Sequence, residues 1–302
     1  MEEPTPVNKN TLERIRPLKE RVEDAYQMAI KQNQSVATLP ADEVKSYLEE
    51  ILSEIDRLEE AGRSDPGLRG LSSELAGSIG AIWVLSGPGT YYEPILAENV
   101  GYAEYKWTHG MDRARLNYTA RLARKVTEGA TGIVHTATPS TIEHQTQKTK
   151  QTIADFGPHI IYNGAPLGNA AVREVLSKEH TVVPESKVSV LGEDIKNTID
   201  QMKTFRLPDG ALDGGKKIAV VAHAPQLSRV VRMVNRYRPF PEGTKIVLFP
   251  LATPGGGGET YAAREASALV YYTYLSPDRD ATREPYPYKI YEPKQDILTN
   301  TA

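Results

Sequence analysis

From residue 78 onward the chain repeats one texture: a short apolar, often β-branched run, then a polar stretch with helical periodicity. The runs are "AIWVL" at 81–85, "GIVHTAT" at 132–138, "HIIYNGAP" at 159–166, "KVSVLG" at 187–192, "KIAVVAH" at 217–223 and "TKIVLFPLA" at 244–252. Helical segments at 112–128, 141–156, 169–179, 194–205, 225–237 and 260–275 follow them. Strands that lack a solvent-side alternation are covered on both faces, and strands joined by helical crossovers run parallel. Few folds satisfy both conditions. The pattern predicts a three-layer, Rossmann-like α/β fold with a mainly parallel sheet, whose ligands bind outside the carboxyl ends of the strands.

Two segments flank this region. Residues 11–34 place Leu12, Ile15, Leu18, Val22, Tyr26 and Ala29 at steps of three and four, and residues 41–62 repeat this with Val44, Leu48, Ile51, Ile55 and Leu58. Both are amphipathic helices, joined by "TLPADE" and stopped by Gly62 and "SDPG" at 64–67. The apolar stripe of this hairpin must dock on something, as a cap on the α/β domain, a lid or a homodimer surface. Residues 276–302 are rich in proline and show no period. Tyr286, Tyr288, Ile290 and Tyr291 are costly to leave in water, so an extended arm over its own domain or a partner is expected. The expected division is therefore a helical hairpin over 1–75, an α/β domain over 76–275 and an arm over 276–302.

Composition narrows the function. A net charge of -3 gives no electrostatic reason to expect nucleic acid. The absence of cysteine excludes disulfides, thiol nucleophiles and Cys-ligated zinc. "MEEPTPVNKN" has no apolar core of a leader, and no run approaches the roughly 18 apolar residues of a membrane span, so a cytoplasmic, soluble protein is expected. The six histidines show no metal-ligand spacing, so no metal site is expected. His159 reads as a strand-edge residue, and His144 and His180 lie in polar surroundings.

No phosphate-binding Walker loop, G-x-S-x-G elbow or H-E-x-x-H helix is present. "SGPGTYY" departs from the dinucleotide fingerprint because its third glycine position is Tyr92. Small and polar residues nevertheless recur after each strand: Ser86, Gly87, Gly89 and Thr90; His135, Thr136 and Thr138; Asn163 and Gly164; Glu193, Asn197 and Thr198; His223, Gln226 and Arg229; Gly255 and Gly256. A doubly wound sheet gathers these positions along one rim, where glycines admit a ligand to the backbone and helix starts favour anions. Arg229 supplies a planar, fixed charge for the same anion.

The order of these pieces resembles the SanA/YdcF/ElyC family, domain of unknown function 218. The similar segments are "AIWVLSGPG" (81–89), "RLNYTARL" (115–122), "IIYNGAP" (160–166), "LGEDIKNTID" (191–200) and "VVAHAPQLSR" (220–229), spanning about residues 79 to 251. The resemblance implies roles for Arg115, Glu193, Asn197, Thr198 and Arg229. The family's threonine after the strand falls on Ala222, and its histidine, three before the final Arg, falls on Gln226; a histidine stands instead at His223. Relatives are associated with envelope and lipid-carrier metabolism, and some bind S-adenosylmethionine. The expectation is a small-molecule enzyme with an anionic, nucleotide-like or S-adenosylmethionine-like ligand. Group transfer and hydrolysis of a phosphate-bearing substrate both fit, with His223 and Glu193 as acid or base. A non-catalytic ligand-binding protein is the alternative.

Overall fold

The computed structural model describes residues 16–85, 111–133, 142–163, 172, 183–191, 195, 198–253, 258–276 and 286–293. Its centre is a six-stranded, all-parallel sheet of β1 (Ile79–Leu85), β2 (His159–Asn163), β3 (Val188–Leu191), β4 (Lys217–His223), β5 (Ile246–Leu251) and β6 (Tyr288–Ile290). The strands lie in the order β3-β2-β1-β4-β5-β6. That is the order of doubly wound nucleotide-binding sheets. Every residue of β1 is buried, as a strand covered on both faces requires.

Among the described residues the α-helices are α1 (Leu18–Gln32), α2 (Ala41–Ser64), α3 (Ser73–Gly77), α4 (Met111–Thr131), α5 (Ile142–Phe156), α6 (Thr198–Thr204), α7 (Ala224–Tyr237) and α8 (Gly258–Val270). α8 runs on into a π-helical turn over Tyr271–Leu275. The α/β fold and the helical N-terminal region thus agree with the sequence reading. Of the run at 132–138, Gly132 and Ile133 are not strand, and the rest lies outside the described residues.

The sixth strand instead comes from the segment read as an arm. Tyr288–Ile290 pairs with β5 through Ile246↔Tyr288, Val247↔Lys289 and Leu248↔Ile290. Two tyrosines fix its ends. The Tyr286 backbone N–H donates to Asn235 Oδ1 at 2.8 Å, while its hydroxyl donates to the Phe240 carbonyl. Its ring extends an edge-to-face series with Phe240, Phe205 and Trp83, whose centroid spacings run from 4.9 to 5.7 Å. Tyr291 stacks on Phe249 at 5.0 Å and donates to Asp65 Oδ2 at 2.7 Å.

The chain forms two compact units. One contains residues 1–54 and 253–277; the other contains residues 55–252 and 278–302 and holds the sheet. In the first unit α1 packs against α8, with Ser267 donating to Gln32 at 3.1 Å. Lys45 of α2 pairs with Glu23 of α1 at 2.7 Å and lies over the Tyr26 ring. The apolar stripe of α2 in this unit, Val44, Leu48 and Ile51, is buried, as are Ile55 and Leu58 where α2 continues into the second unit.

In the second unit α4 lies on β1 and β4 and crosses α3 closely. Gly129 permits that crossing, since a Cβ there would stand 2.6 Å from the Ala76 methyl.

Candidate functional site

After β1 the chain builds β2 and β3 on one side and β4 to β6 on the other, so the strand order reverses between β1 and β4. In doubly wound sheets a ligand is generally held outside the carboxyl ends of the strands at such a reversal. β4 ends at that reversal on His223, paired with Leu251 of β5. His223 is therefore the last strand residue rather than the first loop residue. It is also the N-cap of α7, with φ -68° and ψ 148°, and its side chain does not cap the helix. Pro225 in the first turn starts α7 without wasting a backbone donor.

His223 is 1% exposed and its Nδ1 has no hydrogen-bond partner among the described residues. Burial pushes its imidazole well below the ordinary value, and the positive charge of Arg115 pushes it the same way. Arg115 belongs to the buried face of α4 and is 0% exposed. A guanidinium cannot give up its proton at accessible pH, so the pair resolves its repulsion by keeping His223 neutral. One turn further along α4, Thr119 is also fully buried, and its Oγ1 lacks a hydrogen-bond partner among the described residues. Thr119 was missed from sequence; its spacing of four from Arg115, on one helix face, is the signal that finds it.

Other candidate residues divide clearly. Gln226 is buried on α7, and Arg229, one turn on, is half-buried. Asn163 ends β2 and is fully buried, but its side chain is committed to the scaffold. Its Nδ2 donates to the Gln201 carbonyl at 2.8 Å and to Thr204 Oγ1 at 3.3 Å, while Gln201 Nε2 donates back to the Asn163 carbonyl at 2.7 Å. These bonds clasp β2 to α6 and leave Asn163 Oδ1 as the atom without a hydrogen bond. Thr198 opens α6 and is buried. Ser86, Gly87, Gly89, Thr90, Gly164, Glu193, Asn197, Gly255 and Gly256 lie outside the described residues, as do His135, Thr136 and Thr138.

Arg115 and His223 thus set a guanidinium near a neutral imidazole, both almost fully buried. Among the described residues no group of three or more His, Cys, Asp or Glu side chains can hold a metal ion. No described helix is long and apolar enough to cross a membrane. No family model, curated protein or solved structure matches the chain.

His223 also makes stability depend on pH. The unfolded chain takes up this proton near the ordinary histidine value of about 6.5, whereas the folded chain resists it to a much lower pH. Within that window the unfolded state binds more protons, so stability falls as pH falls. His159, half-buried and lowered by burial and then by Lys187 and Lys216, acts weakly in the same sense. Urea titrations between about pH 7.5 and 5 should show a His223→Gln variant losing less stability on acidification. The difference in slope should approach about 1.4 kcal/mol per pH unit.

Proposed function

We propose that the chain is a small-molecule enzyme that binds an anionic, nucleotide-like ligand in the crevice between β1 and β4. The observation that carries this reading is Arg115, fully buried beside the buried, neutral His223 at the strand-order reversal. Arg115 holds the anionic group of the ligand, with Arg229 and Gln226 nearer the mouth on α7. His223 accepts a proton once the anion has offset the guanidinium charge. Membership of the SanA/YdcF/ElyC family belongs to this proposal and makes S-adenosylmethionine one ligand to try, its carboxylate meeting Arg115. Group transfer or hydrolysis of a phosphate-bearing substrate is the reaction class, in a cytoplasmic setting.

The test is a thermal-shift screen with S-adenosylmethionine, nucleotides, sugar nucleotides and polyprenyl phosphates, followed by calorimetry on the hit. Arg115→Met should weaken binding by about 10- to 100-fold, the scale of one charge-assisted hydrogen bond or two. In the same variant the His223 imidazole, followed by NMR, should titrate at higher pH than in the parent. Unchanged affinity in both Arg115→Met and Arg229→Ala would sink the reading. A His223→Gln variant separates enzyme from binding protein: turnover lost with affinity kept supports catalysis.

A further inference from the structure

The opposite edge of the sheet carries a second feature that the crevice does not use. A cavity of about 410 Å³ opens at the amino ends of the strands, lined by His159, Lys187, Lys216, Asp155, Phe156 and several glycines. His159 is the first residue of β2, Lys187 directly precedes β3, and Lys216 directly precedes β4.

Strand amino ends face the carboxyl ends of the crossover helices, so lysines there have an ordinary role against the helix dipole. Lys187 fills it, donating from Nζ to the Gly157 carbonyl just beyond α5 at 3.0 Å. That single bond leaves two of its three ammonium donors. The side chains of Lys216, which is exposed, and His159, which is half-buried, make no hydrogen bond or ion pair among the described residues and remain open to a ligand. Burial and then the Lys216 charge hold the Lys187 ammonium below its ordinary value, and His159 is lowered by burial, Lys187 and Lys216. Among the described residues the one lining carboxylate is Asp155, which accepts from Gln151 Nε2 at 2.9 Å and offsets part of the charge on Lys187. The cavity therefore gathers more positive than negative charge.

Its walls suit a ligand that carries more than charge. Gly80 stands at a register irregularity, where Ile79 faces Lys217 and Ala81 already faces Ile218. There the Ala211 carbonyl and the Lys216 stem pack directly on the glycine and close that wall. Phe156 is 58% exposed at the cavity, a flat apolar surface beside the lysines.

We propose that this cavity binds a small phosphorylated molecule bearing a flat ring, its phosphate facing Lys187 and Lys216 and its ring against Phe156. The site is separate from the β1/β4 crevice, at the other end of the same strands.

Calorimetry on the full chain with phenyl phosphate and with inorganic phosphate tests it. Phenyl phosphate should bind with Kd below about 1 mM and more tightly than inorganic phosphate. A Lys187→Gln/Lys216→Gln double variant should weaken both by about tenfold or more, with its melting temperature close to that of the parent. Phe156→Ser should remove the preference for phenyl phosphate and leave inorganic phosphate binding unchanged. The His159 imidazole resonances should shift on addition of either anion in the parent. The proposal is overturned by affinity that survives the double lysine substitution, by a preference that survives Phe156→Ser, or by no saturation up to about 10 mM.

Discussion

Asp65→Ala should cost about 3–5 kcal/mol of stability, read from urea unfolding, because one buried carboxylate closes three separate hydrogen bonds. Oδ1 accepts from the Arg69 N–H at 2.8 Å, and Oδ2 accepts from the Gly70 N–H and the Tyr291 hydroxyl, both at 2.7 Å. The first two bonds hold a tight turn in which Leu68 is fully buried at φ 57°, a conformation uncommon for a residue with a branched side chain. The third ties that turn to the residue directly after β6. Alanine would strand two backbone donors and a tyrosine hydroxyl in a site that is only 8% exposed. Tyr291→Phe is the matched control, removing one neutral donor and costing about 1 kcal/mol. Equal losses in the two variants would show that Asp65 does not organise the turn.

Gly80→Ala should be of similar size, about 3 kcal/mol or more, by a different mechanism. A Cβ at position 80 would stand 1.8 Å from the Ala211 carbonyl oxygen. Backbone, not a flexible side chain, is the obstacle, so β1 or the segment before β4 must move. Gly132→Ala is the contrast: no atom lies within 4 Å of its Cβ, and only its φ of 69° opposes the change. That conformational cost is about 1 kcal/mol. A melting temperature for Gly80→Ala no lower than that of Gly132→Ala would refute the close approach. Because Gly80 also lines the cavity, the variant should impair phenyl phosphate binding as well.

The strands that were legible in the sequence were those buried on both faces, because an unbroken apolar run such as Ile79–Leu85 has no alternative reading beside helical crossovers. β6 was not, and the reason is physical. A three-residue edge strand with Tyr288 and Lys289 exposed has neither periodicity nor a continuous apolar run. Its pairing depends on Tyr286 and Tyr291, whose aromatic partners lie far off in sequence. α8 was legible as a helix, but amphipathicity reports a buried face and never names the partner, here α1. Asp65 was read within "SDPG" as a helix stop, which it is, while its grip on Tyr291 left no local trace.

The candidate site shows the same division. His223 was found because a strand end is visible in sequence, whereas Arg115 was reached only through the family resemblance, and their mutual effect requires β4 and α4 to be adjacent. Asn163 was read as a rim residue for a ligand. A buried Asn at a strand end serves equally well to satisfy backbone, and the carbonyl of Gln201 lies 38 residues away. The basic cavity escaped notice altogether. Its three cationic or titratable residues sit at the starts of different strands, where each alone looks like ordinary turn chemistry.

The interleaving of the two units sets a timetable for synthesis. Gln32 meets Ser267 across a sequence separation of 235, and Asp65 meets Tyr291 across 226. A nascent chain emerging from the ribosome therefore carries α1 without α8, and β5 with an open edge, until residues 258 to 291 have been made. Long-range closures of this kind are slow and leave strand edges exposed to other chains meanwhile. Chaperone occupancy during translation should accordingly persist until that last stretch has cleared the exit tunnel.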